Sequence, residues 1–60
     1  MGIYEYKGFY INIRKTVTKP GFFYCDYDEL EEKEDGELIG PFPTEGTALA
    51  AWHAVADKVT

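Results

Sequence analysis

Apolar and polar side chains alternate along the first quarter of the chain. Such alternation over residues 3–16 is typical of a β-strand with one buried face. Gly8 interrupts this stretch, either as a bulge within one long strand or, with Lys7, as the centre of a tight turn. We favour the bulge, because residues 3–6 alone would make a very short strand. The predicted apolar face consists of Ile3, Phe9, Ile11 and Ile13, opposite Tyr10, Asn12 and Arg14.

Two further strands are predicted after turn signals. Residues 19–21 are Lys-Pro-Gly, in which proline fixes φ and glycine allows a positive φ, so a turn precedes a strand over residues 22–27. Asp35-Gly36 predicts another turn before a short third strand over residues 37–40, which the prolines at 41 and 43 end. In the second strand, one predicted face carries Phe23, Cys25 and Tyr27, and the other Phe22, Tyr24 and Asp26.

The end of the sequence predicts an amphipathic helix that closes the domain. Thr44 is a good N-cap because its hydroxyl can accept a backbone hydrogen bond, and Glu45 complements the positive end of the helix dipole. Apolar residues then recur at helical spacing as far as Val59. The predicted core comprises Phe9, Ile11, Ile13, Phe23, Cys25, Leu38, Phe42, Ala48, Leu49, Trp52, Val55, Ala56 and Val59.

These elements predict one α+β domain spanning residues 1–60. The expected architecture is βββα: a three-stranded antiparallel sheet with one C-terminal α-helix packed on one face. One helix covers only one face of a sheet. The other face must therefore meet water, a partner or a second copy.

Two segments carry a resemblance to known proteins. Residues 6–13, and residues 40–44 followed by Ala48 and Ala51, resemble small uncharacterised bacterial and phage proteins of strand-strand-strand-helix order. This order is also similar to AP2-like DNA-binding domains, including the arm-binding domains of tyrosine integrases. The resemblance implies a bacterial or phage origin and, as an alternative function, nucleic-acid binding through the uncovered sheet face. In this alternative, the residues that would contact nucleic acid are Tyr10, Arg14, Lys15, Lys19 and Tyr24.

Charge is distributed unevenly along this chain of 60 residues and net charge −5. Residues 1–25 have a net charge of +3, whereas residues 26–37 carry eight carboxylates and one lysine, a net charge of −7. Three hypotheses fit this segment: a solvated loop, a docking surface for a basic protein, or an acidic inhibitor that mimics nucleic-acid phosphates. The predicted acidic surface comprises Asp28, Glu29, Glu31, Glu32, Glu34 and Asp35.

The uncovered sheet face is the main predicted binding surface. Tyrosine and arginine are enriched at interaction hot spots because they bury a large area at low entropic cost. We therefore expect this face to bind a protein partner or a second copy, as in a homodimer. A register slip of one residue would exchange the two faces. The predicted contacts are Tyr10, Asn12, Arg14, Phe22 and Tyr24.

Residues typical of catalysis or metal binding are sparse. There is no serine, and Cys25, the single cysteine, is expected in the core while His53 is expected on the outer helix face. Asp26-x-Asp28 faintly resembles a calcium loop, but Glu31 occupies the position that requires glycine. We therefore expect no enzyme activity, no metal and no cofactor.

The leading functional hypothesis is a small non-enzymatic protein-interaction module. A lone cysteine and the lack of any long apolar stretch favour a reducing, cytoplasmic location.

Overall fold

The computed structural model describes residues 2–59. It shows a four-stranded antiparallel sheet with the strand order β1-β2-β3-β4, followed by one helix packed against it. The α+β class and the C-terminal helix are as predicted, but the strand count was wrong: the architecture is ββββα. The elements are β1 (Gly2–Tyr6), β2 (Phe9–Lys15), β3 (Phe22–Asp28), β4 (Lys33–Phe42) and α1 (Glu45–Val59).

The extra strand arises because Gly8 belongs to a turn and not to a bulge. Lys7 and Gly8 have φ angles of 53° and 85°, and the flanking Tyr6 and Phe9 are paired across the hairpin. Two consecutive positive φ angles are the signature of a type I′ turn, whose twist matches that of the adjoining strands. The five-residue β1 is stable despite its length because it also contacts α1.

The segment predicted as an acidic loop is a β-hairpin. The turn lies at residues 29–32, and the Asp28 carboxylate accepts hydrogen bonds from the backbone N–H groups of Leu30 (3.0 Å) and Glu31 (3.2 Å). The turn predicted at Asp35-Gly36 instead lies within β4, beside a register shift in the β3–β4 pairing. We call residues 26–37 the acidic hairpin.

The helix begins as the sequence predicted. The Thr44 hydroxyl accepts a hydrogen bond from the backbone N–H of Thr47 (3.1 Å), and the Thr47 hydroxyl accepts one from the N–H of Thr44 (3.1 Å). This reciprocal pair satisfies a donor that the first turn would otherwise leave free. From there, α1 buries Ala48, Trp52 and Ala56 against the sheet.

Strand pairing reverses the predicted faces of β3. Ile13 pairs with Tyr24, and residues directly opposite in a sheet point to the same side. Tyr24 therefore lies with Ile11 and Ile13 beneath α1, where it is 7% exposed. Phe22 also packs on this cluster, so Phe23 and Cys25 lie on the opposite side of the sheet. We call that side, which α1 does not cover, the open face.

The predicted core is correct at its centre and wrong at its margins. Ile11, Ile13, Phe23, Cys25, Ala48, Trp52 and Ala56 are buried, and Phe42 and Leu49 are half-buried. Four predicted core residues are exposed: Leu38 lies on β4, and the other three border a groove beside the C-terminal half of α1. The exposed fractions are 39% for Leu38, 41% for Phe9, 52% for Val55 and 66% for Val59.

Polar contacts attach β1 to one side of α1. The Tyr4 hydroxyl donates to the Glu45 carboxylate (2.8 Å), and the Tyr6 hydroxyl donates to that of Asp57 (2.9 Å). The Tyr6 ring also stacks on His53, with ring centroids 3.9 Å apart. His53, predicted on the outer side of the helix, therefore joins α1 to the sheet together with Asp57.

We expect the domain to lose stability in alkali. Burial, with a contribution from Asp26, raises the pKa of Tyr24, and the hydrogen bond to Asp57 raises the pKa of Tyr6. A raised folded-state pKa means that the stabilisation is complete below the unfolded value, about 10, and is lost as pH rises through the folded pKa. Thermal unfolding followed by circular dichroism at pH 8 and pH 10.5 should show the loss. The Tyr24→Phe variant should lose less stability between these two pH values, because it lacks one of the ionising hydroxyls. An equal loss in the variant and the wild type would contradict an origin in the ionisation of Tyr24.

Candidate protein-interaction site

The predicted aromatic binding patch is divided between the two faces of the sheet. Tyr10, Asn12 and Arg14 lie on the open face, because they alternate with the helix-side residues Ile11 and Ile13. Phe22 and Tyr24 do not join them, since both pack on the helix-side core, where the Tyr24 ring stacks on Phe42 with centroids 6.0 Å apart. The five residues therefore do not form one surface.

A polar bridge closes the centre of the open face. Glu34 of the acidic hairpin accepts hydrogen bonds from the Asn12 amide and from the Arg14 guanidinium, the latter at 2.7 Å. Asn12 and Arg14 are paired across the sheet with Cys25 and Phe23, which are 1% and 4% exposed. Burial raises the pKa of the Cys25 thiol, and the neighbouring Glu34 carboxylate raises it further. Through these bonds, Glu34 connects β4 to β2 and covers the thiol of Cys25 on the strand between them.

Removing this bridge should expose the thiol. We expect Glu34→Ala to lower the free energy of unfolding by about 1 kcal/mol, because a half-exposed bridge stabilises modestly. Cys25 should then react several-fold faster with a thiol reagent such as DTNB, since the carboxylate and its bonds to β2 are gone. Glu31→Ala, at the hairpin turn, is the control and should leave the rate unchanged. Equal rates in both variants would contradict a covering role for Glu34.

The rest of the open face is modestly apolar. Ile3 on β1 is 47% exposed, and Leu38 on β4 is 39% exposed. Tyr10 lies between them in the strand order, and a hydrogen bond to the Glu29 carboxylate raises its pKa. Phe22 and Tyr24 add nothing to this face, because both pack on the helix-side core.

The predicted nucleic-acid contacts are not gathered into one patch. Arg14 lies on the open face and is paired with Glu34. Lys15, the next residue along β2, points to the other face, where its ammonium group lies 4.9 Å from the centre of the Phe22 ring. Lys19 lies exposed in the loop between β2 and β3.

An open groove lies on the other face, between the C-terminal half of α1 and strands β2–β4. We call it the helix–sheet groove; its volume is about 330 Å³. Trp52 and Tyr24, both largely buried, line its inner part. Its outer walls are apolar and exposed, a combination that often marks a binding site. They consist of Phe9, Ile39, Val55 and Val59.

Carboxylates from the acidic hairpin border this groove. Asp26 and Glu37 are among its lining residues, and Asp26 is paired across the strands with Asp35. Like charges placed directly opposite in a sheet destabilise it. Within residues 2–59, none of these three carboxylates forms a salt bridge. The groove thus combines apolar walls with an unneutralised negative end.

The predicted catalytic and metal-binding candidates lie apart. Cys25 is on the open face, whereas His53 contacts β1 from the helix side, so the sheet separates the thiol from the imidazole. Among the described residues, no three His, Cys, Asp or Glu side chains are grouped so as to hold a metal ion. No helix in the same range has the length and apolar content needed to cross the bilayer.

The sequence pattern missed the groove because it placed every apolar residue of the helix stripe in the core. No local signal marks it, because spacing assigns a residue to the apolar stripe of a helix but does not show which part of that stripe the sheet covers. Ile39 lies in the predicted third strand and Glu37 in the acidic segment, and neither position by itself indicates a groove.

Comparisons with known proteins give no family for this chain. No protein-family model, curated protein or solved structure matches it. The AP2-like resemblance therefore stays a prediction that rests on the quoted segments alone.

Proposed function

We propose that this chain is a small non-enzymatic protein-interaction module whose partner is a basic protein surface, bound by the acidic hairpin. The observation that carries this proposal is the ordered placement of eight carboxylates on paired strands and one turn. Of these, Glu34 and Glu31 form salt bridges, with Arg14 and Lys33 respectively, within residues 2–59. Of the other six, all except Asp28 are exposed.

The structural order of this segment supports a binding role over that of a solvated loop. The Asp28 carboxylate fixes the turn, and the Glu34 bridge ties β4 to β2. A fixed array of like charges steers and holds a complementary surface with little ordering entropy lost on binding. Exposed apolar residues near the acidic hairpin add apolar contact area, which charged groups alone do not provide.

Selection from a random-peptide display library tests this function. We expect the wild-type protein to enrich peptides rich in lysine and arginine, with binding that weakens as salt rises. A hairpin variant with six carboxylates converted to their amides should lose the selected peptides; Asp28 and Glu34 are kept because they maintain the hairpin. The changes are Asp26→Asn, Glu29→Gln, Glu31→Gln, Glu32→Gln, Asp35→Asn and Glu37→Gln.

Two controls accompany the selection. Glu5→Gln removes one carboxylate outside the hairpin and should retain binding. Lys15→Gln with Lys19→Gln removes two of the cations on which the AP2-like alternative depends, and should also retain binding. Peptides without basic residues, or equal binding by the six-carboxylate variant, would contradict the proposal. Binding to duplex DNA that the lysine changes abolish would favour the alternative.

Self-association through the open face is a second candidate function. Ile3 and Leu38 favour it, because both are exposed apolar residues on a face without a covering helix. We expect light scattering across protein and salt concentrations to show a dimer that persists at high salt, and Leu38→Asp to dissociate it. A monomer at every concentration would exclude this candidate.

A further inference from the structure

We propose that the helix–sheet groove receives one large apolar side chain from a partner segment in which that residue is flanked by lysine or arginine. This inference rests on the proposed function and specifies the partner. The groove lies on the helix side of the sheet, and of the five predicted binding residues Tyr24 alone lines it. The walls, the size and the charge of the groove indicate what kind of group occupies it.

The apolar walls call for an apolar group. Ile39 and Val55 both line the groove, and their exposed fractions are 45% and 52%. A volume near 330 Å³ is at the lower end for small-molecule sites, which span about 300–1,000 Å³. A groove of that size has room for a large side chain such as leucine or phenylalanine beside the rings of Trp52 and Tyr24.

The charged end calls for cations beside that apolar group. Asp26 and Asp35 are forced to be neighbours by strand pairing, and Glu37 reaches the same groove. Their mutual repulsion is relieved when a lysine or arginine approaches. A second copy of this chain is a poorer occupant of the groove than a basic segment, because a net charge of −5 weakens its attraction to the negative end of the groove.

The fluorescence of Trp52 provides a direct measurement, since it is the single tryptophan of the chain and lines the groove. The probe is a synthetic peptide with one phenylalanine between two pairs of lysines. Titration should change the emission and, in NMR spectra of the labelled protein, shift the amides of groove residues. Changing the phenylalanine to alanine should weaken binding about 10-fold or more, because the buried apolar area is lost. Changing the lysines to glutamates should abolish binding.

Two charge-matched variants locate the site. The groove variant combines Asp26→Asn, Asp35→Asn and Glu37→Gln, whereas the turn variant combines Glu29→Gln, Glu31→Gln and Glu32→Gln. Each removes three carboxylates, and thermal unfolding verifies that each remains folded. We expect the groove variant to lose about 10-fold or more in affinity, and the turn variant to lose only a few-fold through weaker long-range attraction. Val55→Ser, made in the wild-type protein, replaces an apolar wall residue by a polar one and should weaken binding several-fold.

Three results would overturn the inference. If the turn variant loses affinity and the groove variant does not, the hairpin binds basic partners without the groove, and the proposed function stands alone. If no peptide changes the Trp52 emission or the groove amides, the groove is not a binding site. Val17, in the exposed β2–β3 loop, is the side chain with which a second copy would fill the groove. If the free protein associates with rising concentration and Val17→Asp abolishes this association, the occupant is a second copy.

Discussion

Replacing Trp52 with alanine should unfold most of the protein at room temperature. The indole is 4% exposed at the centre of the core and meets the Tyr6 ring edge-on, with centroids 6.0 Å apart. Removing a buried tryptophan costs about 3–5 kcal/mol. A domain of this size rarely has more than about 3–5 kcal/mol of stability in total, so the loss matches the whole of it.

Far-UV circular dichroism and the dispersion of amide NMR signals measure this result. Val55→Ala is the control, one turn further along α1, where the side chain is 52% exposed. Its expected cost is below about 1 kcal/mol, a shift in melting temperature of only a few degrees. If Trp52→Ala melted as close to wild type as the control, α1 would not be held on the sheet by this residue.

Gly40→Ala is expected to have the second-largest effect. Gly40 has a φ of 149°, and an added Cβ would lie 2.8 Å from the Phe22 carbonyl oxygen and 2.9 Å from Cδ2 of Phe23. The Phe22 carbonyl oxygen belongs to the backbone of the paired strand β3, so it cannot rotate away as a side chain could. Strain and displacement together should lower the free energy of unfolding by at least about 2 kcal/mol.

Gly46→Ala is the matched control because it makes the same change in a permissive place. There an added Cβ would meet only the Thr44 hydroxyl at 3.8 Å, within the first turn of α1. Alanine favours a helix over glycine by about 0.5–1 kcal/mol, so this variant should be stabilised. Urea unfolding midpoints that moved in the same direction for both variants would contradict the close approach of β3 and β4 at Gly40.

Sequence patterns predicted an element correctly where the interactions that define it lie within one turn of the chain. Thr44 caps α1 as expected, because an N-cap needs only a hydroxyl within one turn of a backbone donor. Local reasoning disfavours the Lys7-Gly8 turn, because a strand as short as β1 is unstable alone. In the structure β1 is stabilised by Tyr4 and Tyr6, whose hydrogen-bond partners lie more than 40 residues away. Such contacts have no signature in a local window.

The face of β3 shows a different kind of failure. Both of its faces are rich in aromatic or apolar residues, so alternation alone gives no way to choose between them. The choice depends on pairing, and a shift of one residue exchanges the faces. Pairing of Ile13 with Tyr24 placed Tyr24 in the core and Cys25 beneath Glu34.

By itself, the sequence determined the α+β class, the position and cap of α1, the central core residues and the concentration of negative charge in residues 26–37. These follow from spacing and composition, which are properties of neighbours along the chain. Only the tertiary structure decided the fourth strand, the sides to which the β3 residues point and the helix–sheet groove. Each of these depends on the register and crossing of distant segments, which backbone pairing and side-chain packing establish together.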